Sequence, residues 1–155
     1  MIASPGMLRP FALAFFAAYP AAAPAQSLVA CDGWQASAQN VVEPWERFSR
    51  SFANGDIRVA LLDNFEPAVA AHYLLVLTPP HDEFGGRTCA LVAEDEGHGF
   101  AGIDFETISA SYDPAVGLTL AMPVQRFMPD MGEFTTQRLS VTFNQATGEI
   151  RPDLR

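Results

Sequence analysis

Apolar and polar residues alternate in short runs along the chain from residue 47 onward, which is the pattern of half-buried β-strands. The alternation predicts strands at Ile57–Leu61, Arg87–Glu94, Ile108–Tyr112, Val116–Val124 and Thr135–Phe143. The segment Tyr73–Leu77 differs, because every residue in it is apolar. A strand that is apolar on both pleat faces belongs in the middle of a sheet that is covered on two sides. We therefore expect the strand His72–Thr78 to be central.

A β-hairpin is predicted at Asn54-Gly55, because this dipeptide supplies the two positive-φ residues of a type I′ turn. Alternating residues precede it at Phe48–Phe52, and a strand begins after it at Ile57. The alternative is a short helix in which Trp45, Phe48 and Phe52 share one face and Asn54-Gly55 is the C-cap. We favour the hairpin, because the strand pattern continues on both sides of the turn.

Prolines and polar clusters mark the expected ends of the strands. Pro79-Pro80 is predicted to stop the central strand, since neither residue can donate a ladder hydrogen bond. For the same reason, Pro123 is expected at a sheet edge or at a strand end. Residues 125–133 are predicted to form a loop, and residues 144–148 the turn of a final hairpin.

About eight short strands without a long helix predict an all-β domain over residues 47–155. The expected architecture is a small antiparallel β-sandwich or a closed barrel, and the pattern does not choose between them. Residues 26–46 are mostly small and polar, with Trp34 as a large exception, and are predicted to form an extended N-terminal arm. Once a leader is removed, about 130 residues are enough for one domain with a single core.

Residues 1–25 have the features of a cleaved signal peptide. Arg9 precedes the short apolar run FALAFFAA at residues 11–18, and Ala23-Pro24-Ala25 fits the small-x-small rule for cleavage. No later run approaches the ~20 apolar residues that a transmembrane helix needs. We therefore expect an exported protein that is periplasmic or secreted.

Cys31 and Cys89 are the two cysteines of the chain. In an oxidising compartment such a pair is expected to form a disulfide, which would pin the arm to the sheet. Alternatively, Cys31 could carry a lipid, because Leu28–Cys31 matches the pattern at which a bacterial signal is cut before a lipidated cysteine. Polar residues and prolines separate this pattern from the apolar run, and this separation favours the disulfide.

The chain is acidic. It has 18 Asp and Glu residues against 9 basic residues, all of them arginine, and a formal net charge of −9. Such a surface repels phosphate backbones and anionic lipid head groups, so binding to nucleic acid or to a membrane surface is disfavoured. The expected partner is a protein or a small molecule that the sequence does not identify.

Copper binding is the sharpest chemical hypothesis that the sequence offers. Met128 and Met131 lie in the predicted loop, Met122 lies upstream, and His98 is a histidine that the fold could bring near them. Thioether and imidazole ligands suit Cu(I), so a periplasmic copper-binding protein is one alternative function. Methionine is more often a flexible filler of cores, and our first expectation is that the protein has no cofactor.

No catalytic motif occurs in the sequence: Gly-x-Ser-x-Gly, His-Glu-x-x-His and the glycine-rich phosphate loop are all absent. Asp104 and Glu106 would share one face of a strand, but a solvated edge explains this pair at least as well as glycosidase chemistry. A second alternative function is a small β-barrel in which phenylalanines line a site for an apolar ligand. The sequence favours a non-enzymatic binding or accessory module of the bacterial periplasm.

Overall fold

The computed structural model describes Met1 and residues 26–155, and the predicted signal peptide lies outside the described residues. Within the described part, the chain forms one four-residue helix, α1 at Trp45–Phe48, and ten strands. None of the described helices is long and apolar enough to cross a bilayer. The strands are β1 Ser27–Ala30, β2 Ser49–Phe52, β3 Ile57–Asp63, β4 His72–His81, β5 Arg87–Ala93, β6 Gly102–Ile103, β7 Ser109–Asp113, β8 Gly117–Met128, β9 Glu133–Asn144 and β10 Glu149–Leu154.

The strands form two antiparallel sheets, which confirms the all-β prediction. The first sheet has the order β1-β5-β4-β3-β2, so β4 is the central strand, as its apolar sequence predicts. The second sheet has the order β10-β9-β8-β6, and β7 pairs with β8 beside β6. The two sheets face each other as a sandwich, because side chains from both contribute to one core.

The core between the sheets consists of sixteen buried residues. It includes alternate residues of β3, β4, β8 and β9, as expected for strands that turn one pleat face inward. The largest of its fully buried side chains are Phe100, Phe105 and Phe143. β7 forms where alternation predicts a strand, but all five of its residues are exposed because it lies beyond the edge of this core.

The N-terminal arm covers part of the outer face of the first sheet. β1 pairs with β5, and two 3₁₀ turns follow it at Trp34–Ala36 and Ala38–Asn40. The arm is therefore not simply extended, since it contributes an edge strand to the sheet. Its residues pack on a second apolar cluster of four buried residues, Leu62, Tyr73, Leu91 and Ala93.

The predicted disulfide joins Cys31 to Cys89, whose Cα atoms are 5.8 Å apart. Cys31 directly follows β1, and Cys89 lies in β5, so the bond continues the β1–β5 pairing. The lipid-anchor alternative for Cys31 conflicts with this arrangement, because its sulfur is already bonded. Cleavage before Cys31 would also remove Ser27–Ala30, which form β1.

The β2–β3 hairpin is confirmed, but its turn differs from the predicted type I′ turn. Phe52 pairs with Ile57, so four residues connect the strands instead of two. Three consecutive residues of this connection, Ala53–Gly55, have positive φ. The helical alternative applies only to the single turn of α1, which ends where β2 begins.

Three expectations about strand ends are wrong. β4 continues through Pro79-Pro80 to His81, with a shift in its pairing register to β5. Pro123 lies inside β8, beside the gap between the segments of β8 that pair with β6 and with β7. In this gap the Pro123 carbonyl accepts a hydrogen bond from the Asp104 amide. Because N and O of a strand residue point the same way, the missing N–H of Pro123 faces this gap. The predicted loop at 125–133 shrinks to residues 129–132, since β8 and β9 occupy the rest.

Candidate functional site

The arm leaves the β2 side of the first sheet's outer face uncovered. On this side, alternation directs Arg58 and Ala60 of β3 and Leu75 and Leu77 of β4 outward. Ala60 is buried, and both leucines are half-buried without a covering strand among the described residues. The result is an open groove of about 380 Å³, which we call the β2 groove. It is lined by Ser49, Arg50, Ser51, Arg58, Val59, Ala60, Leu75 and Leu77.

Two structural features border the β2 groove. On one side is β2 itself, the last strand of the first sheet, with Ser49 and Ser51 opposite Ala60 and Arg58. No other strand in the described part of the chain pairs with the free edge of β2. On the other side, Leu77 pairs with Cys89, so the disulfide lies next to the groove floor. A strand added to β2 would lie three strand spacings from β4, about 14 Å away, so the free edge and the leucine floor are separate contacts on the same side of the sheet.

Two arginines lie near the β2–β3 loop: Arg58 lines the groove, and Arg87 of β5 lies outside its lining. Arg58 Nε donates to the Gly55 carbonyl at 3.4 Å, and an Arg87 terminal nitrogen donates to the Asp56 carbonyl at 2.5 Å. No carboxylate of the described residues lies within 4.0 Å of either guanidinium. Two cations without ionic partners are notable in a chain with a net charge of −9. They give the groove a positive end that suits a carboxylate.

Four other arginines of the described chain form ion pairs, whereas Arg50 and Arg138 have no carboxylate within 4.0 Å. Arg126 contacts Glu94 at 2.6 Å, in a pair whose side chains are mostly buried. Arg47 binds both carboxylate oxygens of Glu106, at 2.6 and 2.7 Å. This hydrogen bonding lowers the pKa of the Glu106 carboxyl and raises the pKa of Arg47. Arg126 and Arg47 are used within the fold, whereas Arg58 and Arg87 remain available to a partner.

The paired-carboxylate hypothesis for Asp104 and Glu106 is not supported by their positions. The residues do not lie on a strand, because Phe105–Thr107 forms a 3₁₀ turn and Asp104 precedes it. Glu106 is held by Arg47 outside the β2 groove. The lining of the groove itself contains no Asp, Glu, His or Cys side chain.

The structure does not bring all four copper candidates together. Met122 is fully buried in the core, whereas Met128 ends the same strand six residues later, about 20 Å away at the usual strand rise. Met131 is exposed in the β8–β9 turn. The ring nitrogen Nδ1 of His98 contacts the Asp95 carboxylate at 3.0 Å. Met122 and Met128 therefore cannot bind the same ion, and copper binding by Met128, Met131 and His98 stays a prediction.

Hard-metal ligands do not converge within the described residues either. No group of three or more His, Cys, Asp or Glu side chains is placed there to hold a metal ion. His72 and His81 lie at opposite ends of β4, and the acidic turn at 94–98 lies at the other end of β5 from His81. The apolar-ligand alternative also gains no support, because sixteen buried side chains occupy the space between the sheets.

Comparison with models of known protein families, with curated proteins and with solved structures gave no match. The candidate site therefore rests on the geometry of this chain. Sequence reasoning missed the β2 groove, although two signals were present. Arg58 is a single charged residue inside an otherwise apolar strand, and Tyr73–Leu77 has an outward apolar face that some segment must cover.

Proposed function

We propose that the protein is a non-enzymatic binding or accessory module that holds an extended segment of a partner in the β2 groove. The uncovered, half-buried floor of Leu75 and Leu77, two strands in from β2 and its free edge, carries this proposal. A peptide that adds to a sheet edge gains main-chain hydrogen bonds, and pockets on the sheet surface select its side chains. The free edge of β2 supplies the first of these elements, and the groove floor on β3 and β4 supplies the second for a segment that lies across the sheet face.

The charge of the groove indicates the chemistry of the segment. Arg58 and Arg87 lack ionic partners among the described residues, and each guanidinium can donate hydrogen bonds to a carboxylate. The preferred segment would carry apolar side chains for the floor and an acidic residue, or a C-terminal carboxylate, for the arginines. Nucleic acid is a poor partner because the rest of the protein is acidic.

The proposed place of action is the bacterial periplasm or the cell exterior. The Cys31–Cys89 disulfide supports it, because structural disulfides persist mainly in oxidising compartments. The signal-peptide pattern of residues 1–25 indicates the same cellular location. In that environment the disulfide keeps the arm fixed beside the groove.

A labelled peptide of alternating valine and glutamate tests the binding chemistry. We expect fluorescence anisotropy to report binding, and Arg58→Gln to weaken it about tenfold or more, since a charge-assisted hydrogen bond contributes about 1.5–3 kcal/mol. Arg138→Gln is the matched control, because Arg138 is an exposed arginine on the second sheet without a carboxylate partner among the described residues. Equal affinities for wild type and Arg58→Gln, or no binding by either, would refute the proposal.

A further inference from the structure

The β8–β9 hairpin extends beyond the core and ends in an apolar tip. Its residues from 125 to 138 are exposed or half-buried. The rings of Phe127 and Phe134 pack together with centroids 5.3 Å apart, and Phe134 remains 57% exposed. Met131, in the turn, is 63% exposed. Large apolar side chains that cluster on a protrusion are typical of an interaction surface.

The same tip carries two acidic residues, Asp130 and Glu133, and both are exposed. Neither carboxylate lies within 4.0 Å of a basic nitrogen in the described part of the chain. The tip thus combines exposed apolar side chains with carboxylates that have no ionic partner. The β2 groove has the complementary set, an apolar floor and Arg58, with Arg87 nearby, and neither arginine has an ionic partner among the described residues.

The tip and the groove arginines lie at opposite ends of the molecule. Leu118, near the start of β8, lines one surface depression together with Asn54 and Asp56 of the β2–β3 loop. Arg58 and Arg87 donate hydrogen bonds to backbone carbonyls of the same loop. Met128, at the end of β8, is ten residues further along, which is about 33 Å at the usual strand rise. The tip of one chain therefore cannot enter the groove of the same chain.

We propose that the β8–β9 tip of one copy of this protein binds in the β2 groove of a second copy. The inference rests on the proposed function and names this chain itself as a source of the acidic and apolar segment. Because the contact joins two different surfaces, a bound pair still offers one free tip and one free groove. Such head-to-tail contacts build rings or open chains of copies instead of stopping at a twofold dimer.

Sedimentation velocity over a concentration series tests this contact with the disulfide intact. We expect wild type to form species larger than dimers as concentration rises. We expect the concentration at the midpoint of self-association to rise at least tenfold in each of two double variants, Asp130→Arg/Glu133→Arg and Arg58→Glu/Arg87→Glu. Combining the four substitutions in one chain should restore association, because the charges are then exchanged between tip and groove. Wild type that stays monomeric, or a combined variant that stays as weak as its parents, would refute the contact.

A matched control and a second measurement keep the two proposals separate. Glu46→Arg/Glu96→Arg changes the net charge by the same amount as the tip variant but lies outside both surfaces, and it should associate like wild type. The valine–glutamate peptide should compete with self-association for the groove. If the peptide binds while the protein stays monomeric, the head-to-tail contact fails and the proposed function stands. If neither binding occurs, both fail.

Discussion

At the scale of single residues, Gly117 is the position where the backbone most clearly requires glycine. Its φ is +116°, and a Cβ atom there would overlap the backbone carbonyl of Phe143. We expect Gly117→Ala to lower the free energy of unfolding by about 1–3 kcal/mol, because the new methyl group must displace the β8–β9 pairing or strain its own backbone. Chemical denaturation of the purified variant measures this loss.

Gly132→Ala is the control for this prediction. Gly132 also has a positive φ, +66°, but a Cβ atom there would meet nothing within 4 Å. The conformational penalty alone should be about 1 kcal/mol. Equal losses at Gly117 and Gly132 would show that contact with Phe143 does not matter.

The Arg47–Glu106 ion pair gives a prediction about pH. Hydrogen bonding to Arg47 holds the pKa of the Glu106 carboxyl below its ordinary value. A carboxylate with a lowered folded-state pKa stabilises the fold above its unfolded pKa, and this contribution is lost as pH falls through the folded pKa. We expect Arg47→Gln to raise the Glu106 pKa toward the ordinary value in an NMR titration. An unchanged pKa in the variant would contradict the assigned cause.

At the scale of elements, the N-terminal arm depends on the disulfide for its position. We expect Cys31→Ser/Cys89→Ser to lower the free energy of unfolding by about 4 kcal/mol, because the cross-link closes a long loop in the unfolded chain. The arm should also detach more often, so limited proteolysis should cut the variant faster within residues 32–40. Identical cleavage rates in the two proteins would mean that β1 alone holds the arm.

The positions of strands could be predicted from the sequence where burial of a strand face requires a regular spacing of apolar residues. Apolar residues, alternating or continuous, face the two apolar clusters from four strands: β3, β4, β5 and β9. The pattern of these apolar residues predicted where the four strands lie. The end of β8 was missed for the opposite reason. Residues 125–128 extend beyond the core, where no burial constrains the order of apolar and polar side chains.

Tertiary packing explains the remaining differences. Pro123 is tolerated in the middle of β8 only because the pairing of β6 and β7 leaves a gap beside it, which no local pattern reveals. Alternation showed that Leu75 and Leu77 share a face, but it could not show how much of that face the N-terminal arm covers. The β2 groove exists because the arm covers one part of that face and leaves the other open.

At the scale of the whole molecule, the processed chain should have a defined mass. We expect protein isolated from its host to begin at residue 26 and to be two hydrogens lighter than its reduced form, because the Cys31–Cys89 bond is closed. Intact-mass analysis before and after reduction measures both features. An uncleaved leader, or a lipid on Cys31, would contradict the proposed address and the assigned disulfide.

The antiparallel pairing of β1 with β5 also sets an order of assembly. Translation begins at the N-terminus, so β1 leaves the ribosome long before the strand that it must join. Cys89 is synthesised 58 residues after Cys31, so Cys31 has no partner within the chain until then. During this interval its thiol is open to mispairing with other cysteines, and the outer face of β4 lacks its cover. β1 therefore cannot complete its pairing until β5 has been made, which is before the strands of the second sheet leave the ribosome.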